Sequence, residues 1–192
     1  MGGLLFGALV SVVNGSSVTV LVPVSLVLGV GWSWAALAVG AGALTTRKRL
    51  GGVVGAVALV CAVVGYYATD LARGVYRYVD LTDPAVERTL TDWSGLESDL
   101  ARWSIIALIA GYLLGLAGAG ARRQHSIGGL LWRLVVPAIA AVEMLWRLSG
   151  HPQPVAIATW STVGILAIVA AVVLTTAHLR TQRIRRYPRQ HR

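Results

Sequence analysis

Apolar residues run along this chain in long unbroken stretches, not in strict alternation. Met1–Thr46, Leu50–Thr69, Trp103–Ala121 and His151–Leu179 contain no Asp, Glu, Lys or Arg. About 20 apolar residues in a helix cross a ~30 Å hydrocarbon core. In lipid the backbone must satisfy its own polar groups, which favours helices. The pattern therefore predicts an all-α membrane protein, a bundle of about six transmembrane helices. Their expected spans are roughly Gly3–Val22, Ser25–Leu44, Leu50–Thr69, Ala101–Ala119, Gly128–Trp146 and Val155–Thr176. Residues 1–179 form a single transmembrane domain in this reading, and 180–192 a tail.

The first hairpin admits two readings. "NGSSVT", residues 14 to 19, sits in the middle of the first span, and Pro23 lies between the first two. Either two full helices meet in a tight turn, or the first helix breaks at Asn14-Gly15. In the second reading a partly inserted segment follows, and the next span starts at Gly31. Unwound backbone at membrane depth is tolerated where protein or a water-filled cavity satisfies it, so a break points to a cavity.

The one long hydrophilic segment is the loop from Asp70 to Leu100. Asp83-Pro84 reads as an N-cap followed by proline at the first helical position, which predicts a short surface helix through Leu90. Ser94-Gly95-Leu96-Glu97 matches a capping box. The fourth span is then expected to begin near Gly95 and to carry Asp99 and Arg102 above the membrane. Gly51/Gly55 and Gly111/Gly115 each make a GxxxG pair, and Ala36/Gly40 a small-xxx-small pair. Such faces allow close helix approach, within the chain or between copies.

Composition agrees with the pattern. Of 192 residues, 56% are hydrophobic and 13% charged, against about 25% charged in soluble domains. Mean hydropathy is +0.68. Charge adds orientation. Arg47, Lys48, Arg49, Arg122, Arg123, Arg133, Arg180, Arg183, Arg185, Arg186, Arg189 and Arg192 fall on one side of the six-span arrangement. Arg73, Arg77, Arg88, Arg102 and Arg147 fall on the other, with the eight acidic residues on or near it. The positive-inside rule makes the first side cytoplasmic and puts both termini there. The first charge is Arg47, so the start of the chain does not read as a secretory signal.

Glu143 raises the chemical question. It interrupts the apolar run ending in "AVEMLWR", 141–147. An unpaired charge at the bilayer centre costs roughly 2.5–3.5 kcal/mol on insertion scales. Arg147 is one turn away at i+4, on the same helical face, and Pro137 predicts a kink below. Tyr66, Tyr67 and Asp70 end the third span. Trp103, Trp146 and Trp160 fall at similar depth, and Trp32 and Trp34 deeper. One reading is structural: Glu143 and Arg147 pair, Arg147 reaches the headgroups, and the aromatics form an interfacial belt. The other is a site, since an intramembrane ionisable residue is a functional hypothesis by default. Glu143 and Asp70 are then the candidate catalytic acids. Arg147, Tyr66, Tyr67, Trp34, Trp103, Trp146 and Trp160 are the candidate substrate-binding residues.

No P-loop, Rossmann fingerprint or HExxH motif is present. One cysteine, Cys61, leaves no intrachain disulfide. His125, His151, His178 and His191 are scattered, so neither a metal nor another cofactor is expected. "RTQRIRRYPRQHR", 180–192, follows a cytoplasmic span end, where basic clusters attract anionic headgroups. Membrane lipid, not nucleic acid, is its expected partner.

"GWSWAALAVGAGAL" (31–44), "VVGYYATDLARG" (63–74) and "LVVPAIAAVEM" (134–144), in that order, resemble a family of small actinobacterial polytopic integral membrane proteins of unknown function. The resemblance implies the same polytopic fold and a multi-pass place in the bacterial cell membrane, and supplies no activity. Three functions remain open. The first is binding of a lipid or other apolar small molecule in an outer-leaflet pocket, with Glu143, Arg147 and Asp70 at its polar end. The second is an enzyme acting on an isoprenoid or lipid, with Glu143 or Asp70 as general acid and aromatic faces stabilising cationic charge. The third is a proton-coupled transporter, favoured by a broken first span.

Overall fold

A computed structural model describes residues 1–80, 88–122, 126–150 and 152–186, the last four by backbone only. Its helices are α1 (Gly2–Asn14), α2 (Val22–Leu28), α3 (Gly31–Ala43), α4 (Lys48–Ala72), α5 (Trp93–Ala121), α6 (Ile127–Leu148) and α7 (Pro154–Arg186). A 3-10 turn over Thr19–Leu21 leads into α2. Strands β1 (Arg77–Asp80) and β2 (Arg88–Thr91) form an antiparallel hairpin between α4 and α5.

Four helices, α4 to α7, are long and apolar enough to cross a membrane. The segments Thr19–Leu28 and Gly31–Ala43 pass that test only together, and they bend by 58° at their junction. The N-terminal region thus does not form the two full helices Gly3–Val22 and Ser25–Leu44. It follows the broken reading. α1 stops at Asn14 after 13 residues, about 20 Å of rise. Glycine and two serines follow, and such residues weaken a helix interior. Ser16 Oγ accepts from the Val18 amide at 3.2 Å, which holds a turn in place of a helix. A second break falls at Gly29-Val30, where Val30 is extended.

α4 sits centrally, packed against α1, α3 and α5, while α6 pairs with α7 and touches α3 and α5. Glycine sets these distances. A Cβ on Gly55 would come within 2.5 Å of the Gly111 carbonyl, and one on Gly111 within 2.8 Å of the Ala56 Cα. Gly115 lies against the Gly51 carbonyl, and Gly42 of α3 against the Gly115 carbonyl. Both GxxxG faces are therefore used inside the chain. α1 runs parallel to α4: Gly3 meets the Ala58 carbonyl, Gly7 that of Ala62, and Ser11 bonds Asp70. α1 thereby begins beside the middle of α4. Ala38, Leu59, Val63 and Ala107 form the buried centre, with Trp34, Leu37 and Tyr67 packed on it. α7 exposes Ile165, Leu166, Ile168, Val169, Val172 and Val173.

The two ends differ in charge, in accord with the sequence. At the basic end Arg122 Nη1 donates to the Ala43 carbonyl at 3.1 Å and Arg133 Nε to that of Ala121 at 2.8 Å. These cations close the C-termini of α3 and α5, where the helix dipole favours them. At the acidic end two expectations change. Asp83-Pro84 lies outside the described residues, but Arg88–Thr91 is a strand and not the end of a surface helix. Thr89 and Thr91 pair with Val79 and Arg77, and β-branched residues fit a pleated strand. The cap of α5 is Asp92, not Ser94. Asp92 Oδ1 accepts from the Gly95 amide and the Ser94 hydroxyl, each at 2.8 Å. These bonds, the backbone one first, hold the Asp92 carboxyl below the usual carboxylate range.

Candidate functional site: a cavity at the helix breaks

The breaks at Asn14 and at Gly29-Val30 meet near the acidic end. Ser25 Oγ donates to Asn14 Oδ1 at 2.8 Å, and Gly29 lies against the same amide. Two of the broken ends, that of α1 and the start of α3, carry a charge of the sign their dipoles favour. At the start of α3, Glu143 Oε1 accepts from the Gly31 amide at 3.0 Å and Oε2 from the Trp32 amide at 2.8 Å. Glu143 on α6 is thus an N-cap supplied by another helix. At the end of α1, Arg73 Nη1 donates to the Ser11 carbonyl. The Arg73 guanidinium fills the space that any side chain at Gly15 would need.

Arg147 completes the Glu143 arrangement. Its Nε and Nη2 donate to Glu143 Oε1 at 3.1 and 3.0 Å. The Trp160 ring covers its guanidinium at 5.5 Å, and the indole N–H donates to the Leu26 carbonyl at 3.3 Å. α2 and α7 are tied together there. Asp70 is similarly engaged: Ser11 Oγ donates to its Oδ1 at 2.6 Å, and Arg73 stands 3.8 Å away.

Between α1, α3, α4 and α5 lies a cavity of about 490 Å³, reached by Arg147 from α6. That size lies within the range of small-molecule sites. Leu59, Val63, Ala107, Ala110 and Leu114 form its apolar depth. Asn14, Gly29, Val30 and Gly31 bring the broken backbone to its wall. Edge-to-face contacts link Phe6 to Trp34, Trp34 to Tyr66 and Tyr66 to Tyr67, at centroid distances of 5.5, 6.2 and 5.4 Å. The series continues to Tyr76, whose hydroxyl donates to Asp99 at 3.0 Å. Burial, then that bond, push the Tyr76 hydroxyl above the usual phenol range.

Of the residues singled out by sequence, Trp34, Tyr66, Tyr67, Trp103 and Arg147 share this wall. Glu143 stands behind it, with its oxygens on Gly31 and Trp32. Trp160 lies against Arg147 and is not part of the wall. Asp70 also lies off the wall, and Trp146 is 73% exposed. Sequence reasoning missed Arg73, Ser11 and the backbone at 29–31. Asn14, the one asparagine, was the available signal for the break. Among the described residues no group of three His, Cys, Asp or Glu side chains could hold a metal. His178 is buried beside Gln182, 2.9 Å away, and His125, His151 and His191 lie outside the described residues.

Four membrane-length helices and a bent fifth pair define an all-helical architecture compatible with a multi-pass membrane protein. No family model, no curated protein and no solved structure matches the chain.

Proposed function

We propose that the chain binds an amphipathic small molecule or lipid in the cavity at the helix breaks, without chemically changing it. The observation that carries this is the wall itself. It is apolar and aromatic, with one charged side chain, Arg147, held in place by Glu143 and Trp160. Hydrocarbon and aromatic walls hold an apolar body, and a few placed polar groups orient it. In this reading the protein lies in a bacterial cell membrane, as its resemblance to the actinobacterial family implies, with the basic end cytoplasmic and both chain ends directed toward it. α1 and α3 to α7 make six alternating strokes, the first of half length. Acid catalysis on an isoprenoid has less support, because no carboxylate lines the cavity among the described residues.

A transporter is the second reading, and the paired helix breaks favour it. Discontinuous helices with dipole ends at a site are a feature of secondary transporters. The deep wall of Leu59, Val63 and Leu114 gives no polar path toward the basic end, so binding alone is preferred.

Mass spectrometry of co-purifying small molecules tests the proposal. Ala110→Phe puts a ring into the cavity from a half-buried wall position. Wild type is expected to retain a specific apolar molecule that the variant loses at equal thermal stability. Identical profiles from both proteins would overturn the binding site. Uptake of that molecule into vesicles, driven by a pH gradient, would replace binding with transport.

A further inference from the structure

We infer that the ligand of this cavity carries a neutral head with a hydrogen-bond-accepting oxygen, such as an ester, ketone or quinone carbonyl, on a hydrocarbon body. The inference rests on the cavity being a binding site. It follows from which atoms are left free on the wall. Six side chains there have polar atoms: Asn14, Trp34, Tyr66, Tyr67, Trp103 and Arg147. All six can donate. The indoles and the guanidinium cannot accept at all. Asn14 already accepts one bond at its oxygen from Ser25, which leaves its amide hydrogens and one lone pair. Among the described residues no hydrogen bond occupies either tyrosine hydroxyl, either wall indole N–H or Arg147 Nη1. A ligand entering this space meets three groups that can only donate, Trp34, Trp103 and Arg147, beside two tyrosine hydroxyls that donate or accept, so an acceptor on the ligand satisfies the most of them.

Charge narrows the class. Arg147 is matched by Glu143 at 3.0 Å, Arg73 by Asp70 at 3.8 Å and Arg102 by Asp99 at 3.7 Å. Among the described residues, the one charged side chain on the wall is therefore matched, and so are the arginines at 73 and 102. An anionic head would meet a guanidinium whose charge Glu143 has already answered. A cationic head would find aromatic faces but face Arg147 without a free carboxylate. A neutral acceptor keeps the Glu143–Arg147 pair intact and uses the remaining Nη1.

Four probes with one tail separate these cases: methyl dodecanoate, dodecanoate, dodecyltrimethylammonium and dodecane. Each is titrated against the full chain in nanodiscs, read by tryptophan fluorescence, with Ala110→Phe as the blocked cavity. Methyl dodecanoate is expected to saturate the wild type and to bind about tenfold tighter than the other three, the worth of one well-made bond to a charged donor. Arg147→Lys and Tyr66→Phe are each expected to weaken the ester severalfold and to leave dodecane unchanged. Tighter binding of dodecanoate or of the ammonium probe overturns the neutral head and leaves the cavity standing. Equal responses from wild type and Ala110→Phe, or no saturable response to any probe, overturn the cavity itself.

Discussion

At the scale of single residues, Glu143 shows how a charge is accommodated at depth. Its carboxylate accepts four bonds, two from backbone amides of α3 and two from Arg147. A bare Glu–Arg pair on one helix would use only the latter two. The difference is measurable. Glu143→Gln is expected to lower stability by about 2–3 kcal/mol, the range for bonds to a charged group. Adding Arg147→Met is not expected to restore it, because the Gly31 and Trp32 amides remain without their carboxylate. Thermal unfolding of both variants checks this, and full recovery in the double variant would reduce Glu143 to a partner of Arg147. The pair was legible in the sequence because i and i+4 neighbours share a helical face. The amides were not, since they come from residues more than a hundred positions away.

At the scale of elements, the junction of hairpin and α5 depends on an ionised side chain. Asp92 caps α5, and its folded carboxyl sits below its ordinary value. A depressed carboxyl contributes stability above its unfolded pKa, about 3.9, and loses it as pH falls through the folded value. The protection of the Gly95 and Leu96 amides against hydrogen exchange, relative to the intrinsic rate at each pH, is expected to fall on acidification below about pH 4. Asp92→Asn, which can cap without titrating, is expected to lack that acid step. An identical acid response in both proteins would assign it to another group. The competing capping box from Ser94 to Glu97 was a sound pattern, but the strand before it ends at Thr91 and delivers Asp92 first. The glycine faces read differently. Their spacing was visible, and their partners became known only when α4 and α5 packed antiparallel, 51 beside 115 and 55 beside 111.

At the scale of the whole molecule, the separation of charge defines two ends. Arg47, Lys48, Arg49, Arg122 and Arg133 gather at one, and the hairpin with Asp92 and Asp99 at the other. In a Cys61→Ala background, single cysteines at Arg49 and Thr89 are expected to label from opposite sides of intact cells, Thr89 from outside with an impermeant reagent. Labelling of both from one side would refute the orientation drawn from the positive-inside rule.

Length and hydropathy alone determined that long helices would form and that basic residues would collect at one end. Those properties are local sums along the chain, and the bilayer reads them directly. The breaks were marked in part, since Asn14-Gly15-Ser16-Ser17 disfavours a helix wherever it occurs. Tertiary structure alone decided what fills them. A helix end needs a partner for its free amides or carbonyls, and any nearby charge of the right sign can serve. Only packing brings Glu143 of α6 to the start of α3, and Arg73 of α4 to the end of α1. The cavity has the same origin. Its wall draws on five helices, and its volume is the space that their glycine-set distances and two broken turns leave between them.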